Sequence, residues 1–187
     1  MLDVKLSYVP TKVFLTKGVG VHKDRLASFE LALRDAGIAH CNLVTVSSIF
    51  PPRAKLIPRK QGIQLLRPGQ IVHVVLSRLD TDEPNRLIAA SVGVAIPKDK
   101  NAYGYLSELH AYGVTDEKLG EHAEDVAAYM LASTMGLDFD PDKSWNAQRQ
   151  EWKISGKIYK TMNVTQSAEG NKDGLWSSVV AAAVLLH

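Results

Sequence analysis

This chain of 187 residues has a single cysteine, a small net charge and no long apolar run. The single cysteine, Cys41, excludes an internal disulfide and a cluster of thiolate metal ligands. No apolar run approaches the roughly 18 residues that a membrane-spanning helix needs, and residues 1–10 lack the apolar core of a signal peptide. We therefore expect a cytoplasmic protein with no membrane partner.

A concentration of basic residues is also missing from the sequence. The net charge is only +2, Lys98 and Lys100 are separated by Asp99, and the basic residues of 53–60 suggest a solvated hairpin. Phosphate-backbone binding calls for a basic stripe, so we expect no nucleic-acid partner. The six histidines lack metal-ligand spacing, and we predict no metal site.

What is present is the composition of one globular domain, with 45% hydrophobic and 22% charged residues. The apolar patterns predict two helices and seven strands, with a flexible turn at Gly18–Gly20. Residues 53–64 are predicted as a loop with one possible short strand, and residues 138–149 as a loop. The helices are expected at 23–36 and 115–135, and the strands at 12–16, 41–48, 70–79, 86–96, 103–112, 153–163 and 176–186. This order indicates an α+β domain of mainly antiparallel strands whose sheet faces are covered by helices.

One stretch, Asn42–Pro52, stands out for the way it ends. A β-branched apolar run leads into Ser47 and Ser48, and two consecutive prolines stop it soon afterwards. Prolines donate no backbone hydrogen bond, and the first holds Phe50 in an extended conformation. The Ser47–Ser48 peptide should therefore lie at the rim of a sheet. Taken alone, two serines at the end of a strand are more typical of turn caps.

This stretch and its neighbours resemble the pyruvoyl-dependent arginine decarboxylase family. Asn42, the serine pair and Pro-Pro match that family's self-processing site, and further matching blocks occur both upstream and downstream. These blocks are 29–33, 36–38, 95–100 and 104–108. From about residue 11 onward the order of blocks is similar to that of the family. The resemblance implies a four-layer αββα sandwich that assembles as a homotrimer or a multiple of it.

The resemblance also implies that the chain cleaves itself. Ser48 Oγ would attack the Ser47 carbonyl to form an ester, and β-elimination followed by hydrolysis would leave a pyruvoyl group at position 48 and release ammonia. The products would be a β chain of residues 1–47 and an α chain of residues 48–187. Asn42 matches the family's Asn and is the candidate to assist at the oxyanion, although a strand-start amide that caps a turn is the alternative.

Decarboxylation of an amino acid needs an electron sink that ordinary side chains do not offer. A covalent pyruvoyl group derived from Ser48 would supply it, so the resemblance implies conversion of L-arginine to agmatine and carbon dioxide for polyamine biosynthesis. Glu108 matches the family's proton donor, a role open to a carboxylic acid that burial keeps partly protonated. A solvent-facing strand glutamate is the alternative for Glu108, and His110 competes for the donor role.

Substrate specificity would depend on an anion for the arginine guanidinium. Glu30 lies where archaeal members of the family carry Asp, which makes it the predicted anchor, with Asp35 as a nearby alternative. Leu33 and Ile49 would line the apolar channel for the substrate's methylene groups. In this family the sites form between neighbouring protomers. A pyruvoyl decarboxylase of another amino acid and a non-processing trimeric scaffold remain the rival hypotheses.

Overall fold

The computed structural model describes residues 8–137, 140 and 142–187, with Lys153 described by its backbone alone. Within these ranges the chain forms two mostly antiparallel sheets and four helices. The elements in order are β1 (Lys12–His22), α1 (Arg25–Asp35), β2 (Asn42–Thr45), β3 (Ile49–Phe50), β4 (Lys55–Leu56), α2 (Arg59–Gln64), β5 (Ile71–Thr81), β6 (Leu87–Pro97), β7 (Gly104–Tyr112), α3 (Asp116–Thr134), α4 (Trp145–Ile154), β8 (Ile158–Glu169) and β9 (Trp176–Leu186). None of the helices described is long and apolar enough to cross a membrane.

The two sheets stack face to face between helices. The first sheet has the order β2-β5-β9-β1-β4 and the second has the order β3-β7-β6-β8. One apolar core lies between the sheets, a second lies under α1 on the outer face of the first sheet, and a third lies under α3 and α4 on the outer face of the second. These layers confirm the predicted α+β sandwich with the order α, β, β, α.

Strand β9 shows how the sequence produces this layering. Its side chains point alternately to opposite faces. Val179, Ala181 and Ala183 enter the core between the sheets, whereas Val180 and Ala182 enter the core under α1. Because both faces of β9 are covered, its sequence is a continuous apolar run rather than an alternating one.

The predicted flexible turn at Gly18–Gly20 is wrong. Strand β1 continues through both glycines and pairs with β9 along its whole length. A Cβ atom at Gly18 would lie 2.2 Å from the Ala32 carbonyl oxygen, and one at Gly20 would lie 2.2 Å from that of Ser28. The glycines are needed because the backbone of α1 lies directly against β1.

Each of the two predicted loops contains a helix that was not predicted. In the segment after the prolines, the possible short strand is present as Lys55–Leu56, which pairs in parallel with β1, but the helix α2 follows it. Arg59 is not part of a solvated hairpin, since its Nε donates to Thr16 Oγ1 at 2.9 Å and its Nη2 donates to the Asp35 carbonyl oxygen.

The second loop prediction covers 138–149, of which residues 138, 139 and 141 lie outside the described residues. Trp145–Ile154 forms α4, and Trp152 buries its side chain against the outer face of the second sheet. The last-but-one strand therefore begins at Ile158 rather than at 153.

Helix α1 is held in place by the buried carboxylate of Asp80. Its oxygens accept hydrogen bonds from Arg25 and Arg78 and from the Ser178 hydroxyl, and that hydroxyl also contacts Ser28. Burial alone would raise the pKa of Asp80, but the two arginines and Ser178 outweigh it and hold the pKa below its usual range. This network fixes the N-terminal half of α1 against the first sheet.

Candidate active site

The Ser47–Ser48 peptide bond crosses from one sheet to the other. On its N-terminal side, the Val46 backbone N–H donates to the Val74 carbonyl oxygen of β5 at 2.9 Å. On its C-terminal side, Ile49 pairs with Tyr105 of β7 in the second sheet. The bond is thus held from both sides in the segment Val46–Ile49, which we call the seam of the sandwich. This agrees with the sheet-rim position that the two prolines predicted.

Backbone hydrogen bonds orient both serine carbonyls. The Ile49 N–H donates to the Ser47 carbonyl oxygen at 2.9 Å, and the Leu106 N–H donates to the Ser48 carbonyl oxygen at 2.7 Å. Phe50 is 2% exposed and secures the segment beyond Ile49 in the core between the sheets. Residue 48 is therefore anchored to the second sheet by contacts that do not depend on the bond before it.

The Ser48 hydroxyl faces the carboxylate of Glu108. Ser48 Oγ lies 3.0 Å from Glu108 Oε2 and 3.4 Å from Oε1, although 60 positions separate the two residues in the sequence. The contact arises because β7 holds Ser48 through Leu106 and presents Glu108 two residues further along. Glu108 is exposed in the single chain, while Leu106 and Ser107 beside it are buried. The burial expected for this carboxylate is therefore not found in the single chain.

Asn42 lies at the opposite end of β2 from the serines. Its Nδ2 donates to the Gly69 carbonyl oxygen at 3.0 Å, and its backbone N–H donates to the Gln70 carbonyl oxygen at 2.8 Å. The side chain thus caps the turn before β5, which is the alternative interpretation of this amide. Its assistance to the oxyanion stays a prediction.

The other predicted substrate residues do not gather at Ser48 within one chain. Glu30 and Leu33 lie on α1, and Glu30 Oε1 is paired with Arg34 Nε at 2.6 Å. Leu33 packs into the core under α1 on the outer face of the first sheet. Asp35 Oδ2 accepts a hydrogen bond from the Val19 N–H at 3.0 Å. Ile49 alone adjoins Ser48, with its side chain 38% exposed.

His110 is on the same face of β7 as Glu108, but it lines a cavity to which neither Ser48 nor Glu108 contributes. That cavity is bounded by the end of β5 and the start of α1, and its lining includes Arg25, Arg78 and Tyr112. Two groups that the sequence analysis did not identify are the backbone N–H groups of Ile49 and Leu106. Their positions depend on the register between β3 and β7, for which the sequence carries no local signal.

The chemistry available at this seam is that of a hydroxyl, a carboxylate and oriented peptide groups. Across the residues described, no three or more His, Cys, Asp or Glu side chains are grouped as metal ligands would be. A hydroxyl between an acceptor carboxylate and an adjacent, hydrogen-bonded carbonyl is equipped for an intramolecular acyl shift. Fold and site together define a class of protein: an α+β sandwich in which a Ser-Ser peptide bond links the two sheets and its second hydroxyl faces a carboxylate.

The chain belongs to the pyruvoyl-dependent arginine decarboxylase family, whose model matches residues 12–187. It is 60% identical over 181 residues to the pyruvoyl-dependent arginine decarboxylase of Nitrosopumilus maritimus, a match that covers 97% of this chain and 99% of that protein. It is 61% identical over 181 residues to the probable pyruvoyl-dependent arginine decarboxylase of Chlorobium limicola, with the same coverage of both chains. The pyruvoyl-dependent arginine decarboxylase 2 of Methanosarcina mazei is 54% identical over 178 residues, which cover 95% of this chain and 97% of that protein. These matches confirm the family that the sequence resembles.

Proposed function

We propose that this protein is a pyruvoyl-dependent decarboxylase that converts L-arginine to agmatine and carbon dioxide in the cytoplasm, for polyamine biosynthesis. The contact of Ser48 Oγ with the Glu108 carboxylate at 3.0 Å carries the proposal, because it joins the predicted cofactor precursor to the predicted proton donor. The names of the relatives, all pyruvoyl-dependent arginine decarboxylases, support the choice of substrate.

Self-cleavage would begin at the seam. Ser48 Oγ adds to the Ser47 carbonyl carbon, the C–N bond breaks, and the hydroxyl proton passes to the nitrogen of residue 48. The Ile49 N–H already donates to the Ser47 carbonyl oxygen at 2.9 Å, so it is placed to stabilise the developing oxyanion. Loss of the Cα proton then breaks the Cβ–O bond of the ester, which leaves residue 47 as a carboxylate. Water replaces the nitrogen of residue 48, which departs as ammonia.

The residues present fit a pyruvoyl group at position 48. Its carbonyl supplies an electron sink for the carboxylate that leaves as carbon dioxide. After cleavage, residue 48 would remain tied to β7, since the Leu106 N–H holds its peptide oxygen at 2.7 Å and β3 continues to pair with β7. Glu108, which contacts the Ser48 side chain at 3.0 Å, would deliver the proton that replaces the carboxylate.

Asn42 is proposed to act on the cleavage step by fixing the start of β2. Its amide joins that strand to the Gly69 carbonyl oxygen at the turn before β5. Strand β2 carries the chain from this point to Ser47, so its register sets where the Ser47 carbonyl lies. Direct assistance at the oxyanion would require an Asn42 from another protomer, because β2 holds this residue and Ser47 at opposite ends of an extended segment of the same chain.

Glu30 is proposed to bind the substrate guanidinium at the site of a neighbouring protomer within a homotrimer. In its own chain the Glu30 carboxylate pairs with Arg34, and α1 lies across the first sheet from the core between the sheets. An arginine substrate would replace Arg34 as the partner of Glu30, and Leu33 on the same helix would contact its methylene groups.

Mixing two inactive variants tests this arrangement. Chains with Ser48→Ala and chains with Glu30→Ala are each expected to be inactive alone. When they are co-expressed with different tags and purified as mixed assemblies, some sites pair an intact Ser48 with an intact Glu30. Arginine decarboxylation should then return in part. Mixed assemblies that stay inactive would contradict a site shared between protomers.

The function itself is tested by intact mass and by a panel of substrates. We expect two chains, residues 1–47 and 48–187, with the second lighter by one ammonia than a chain that begins with serine. Carbon dioxide release should occur with arginine and not with lysine, ornithine, histidine or aspartate. Release from another member of the panel would favour the first rival, and a single uncleaved chain without activity would favour the scaffold.

A further inference from the structure

Five basic side chains converge on one cavity that the proposed reaction does not use. The cavity has a volume of about 720 Å³, and its lining includes Arg53, Lys55, Lys98, Lys100 and Lys160 with a single carboxylate, that of Asp99. We call it the basic cavity. The whole chain has a net charge of only +2, so the positive charge is concentrated here and the remaining surface is net negative.

The fold assembles the basic cavity from three separate segments. Arg53 has a φ of +61°, a left-handed conformation that is uncommon outside glycine, and its N–H donates to the Lys100 carbonyl oxygen at 2.9 Å. Its guanidinium contacts Asn101 Oδ1 at 2.6 and 2.8 Å, which fixes the side chain at the rim. Lys160 arrives on β8, where it pairs with Ile96 of β6. A positive φ at a residue other than glycine costs free energy, and such residues are often found at functional sites.

Acidic side chains do not neutralise this charge. The ion pairs among the described residues involve Arg25, Arg34, Arg78, Arg86, Lys143 and Arg149, none of which lines the basic cavity. Asp99, whose Oδ1 accepts a hydrogen bond from the Asn101 N–H at 2.9 Å, offsets one of the five positive charges and leaves a clear excess. A concave site lined by uncompensated charge of one sign focuses the field and attracts ions of opposite sign.

The floor of the basic cavity is apolar. Phe50, Pro51 and Pro97 are buried in it, and the Tyr159 ring, 72% exposed, forms one wall. The volume lies in the range of about 300–1,000 Å³ typical of small-molecule sites, which combine an apolar lining with a few polar groups. We propose that the basic cavity binds a small organic anion, with its apolar body against Phe50 and Tyr159 and its anionic group among the lysines.

This site is distinct from the proposed substrate site. The guanidinium of arginine would be repelled by five cations, whereas a carboxylate, sulfonate or phosphate group would be attracted. The cavity nevertheless adjoins the active-site segment, since Phe50 lies two residues after Ser48. A bound anion would contact the strand that carries residue 48 into the second sheet.

The test uses 8-anilino-1-naphthalenesulfonate, which combines an aromatic body with a single anionic group. We expect the full-length, assembled wild-type protein to bind about one molecule per chain, as measured by fluorescence and calorimetry. The double variant Lys98→Glu/Lys100→Glu should bind it roughly tenfold more weakly, because two attractions become repulsions. The variant Lys118→Glu/Lys172→Glu makes the same change in net charge at exposed positions elsewhere and should bind normally.

Two results would overturn the proposal. Equal weakening in both double variants would mean that the dye responds only to net charge. Absence of binding to the wild type would also overturn it, and if Lys98→Glu/Lys100→Glu then dissociated the assembly in native mass spectrometry, another copy of the chain would be what covers the cavity. Neither result bears on arginine decarboxylation, which is assayed separately.

Discussion

Replacement of Ser48 by alanine is expected to abolish both self-cleavage and decarboxylation. The substitution removes the Oγ that would attack the Ser47 carbonyl, so no ester forms and β-elimination cannot convert residue 48 into a pyruvoyl group. The backbone contacts of residue 48 with Leu106 and β7 do not involve the side chain, so the fold should persist. A denaturing gel should show one full-length chain, and carbon dioxide release from arginine should fall to background.

Ser47→Ala is the matched control. It removes the same hydroxyl one position earlier and leaves both the nucleophile and the attacked carbonyl in place, so cleavage should still occur. A Ser48→Ala protein that stays uncut yet decarboxylates arginine would rule out the proposed cofactor.

Asn42→Ala should be cleaved more slowly than wild type, because β2 loses the amide that fixes its start to Gly69.

The sequence predicted the elements whose signals are local. Strand β9 was expected at 176–186, where the structure has Trp176–Leu186, because a continuous apolar run identifies a strand covered on both faces. Helix α3 begins directly after Thr115, whose Oγ1 accepts from the Lys118 N–H at 3.4 Å, as its N-cap signal indicated. These features are set by residues close together in the chain.

The errors arise where tertiary packing decides. Gly18 and Gly20 carry a turn signal, yet they serve the close approach of α1 to β1, which no short window of sequence reveals. Helix α4 was missed because its burial rests on few side chains, with Trp152 packed against a sheet formed by distant residues. Lys98 and Lys100, separated by Asp99, do not form a basic cluster in the sequence, but the fold brings further cations to them from other segments.

The candidate site shows the same division. The resemblance supplied Ser48 and Glu108 as residues, but their 3.0 Å contact depends on the pairing of Ile49 with Tyr105 across 56 positions of sequence. The backbone donors at the seam depend on that register too. The residue types of a site can be predicted from a sequence, whereas the backbone peptide groups that orient them are known only once the fold is known.

Replacement of Glu108 by glutamine is expected to separate the two reactions of this site. The amide oxygen can still accept the hydrogen bond from Ser48 Oγ, which the Glu108 carboxylate now accepts at 3.0 Å, so the chain should be cleaved. The amide cannot deliver the proton that replaces the departing carboxylate. Since a general acid contributes typically about 10²–10⁴-fold, kcat for arginine should fall by about that factor while two chains still appear on a gel.

His110→Asn provides the comparison, because His110 is the competing donor on the same face of β7. It lines a separate cavity with Arg25 and Tyr112, and its loss should leave kcat nearly unchanged. The result that would remove Glu108 from the mechanism is normal turnover by the cleaved Glu108→Gln protein. If His110→Asn instead lost as much activity as is expected for Glu108→Gln, the donor would have to be reassigned. Cleavage measured in the same preparations keeps a failure of maturation apart from a failure of proton transfer.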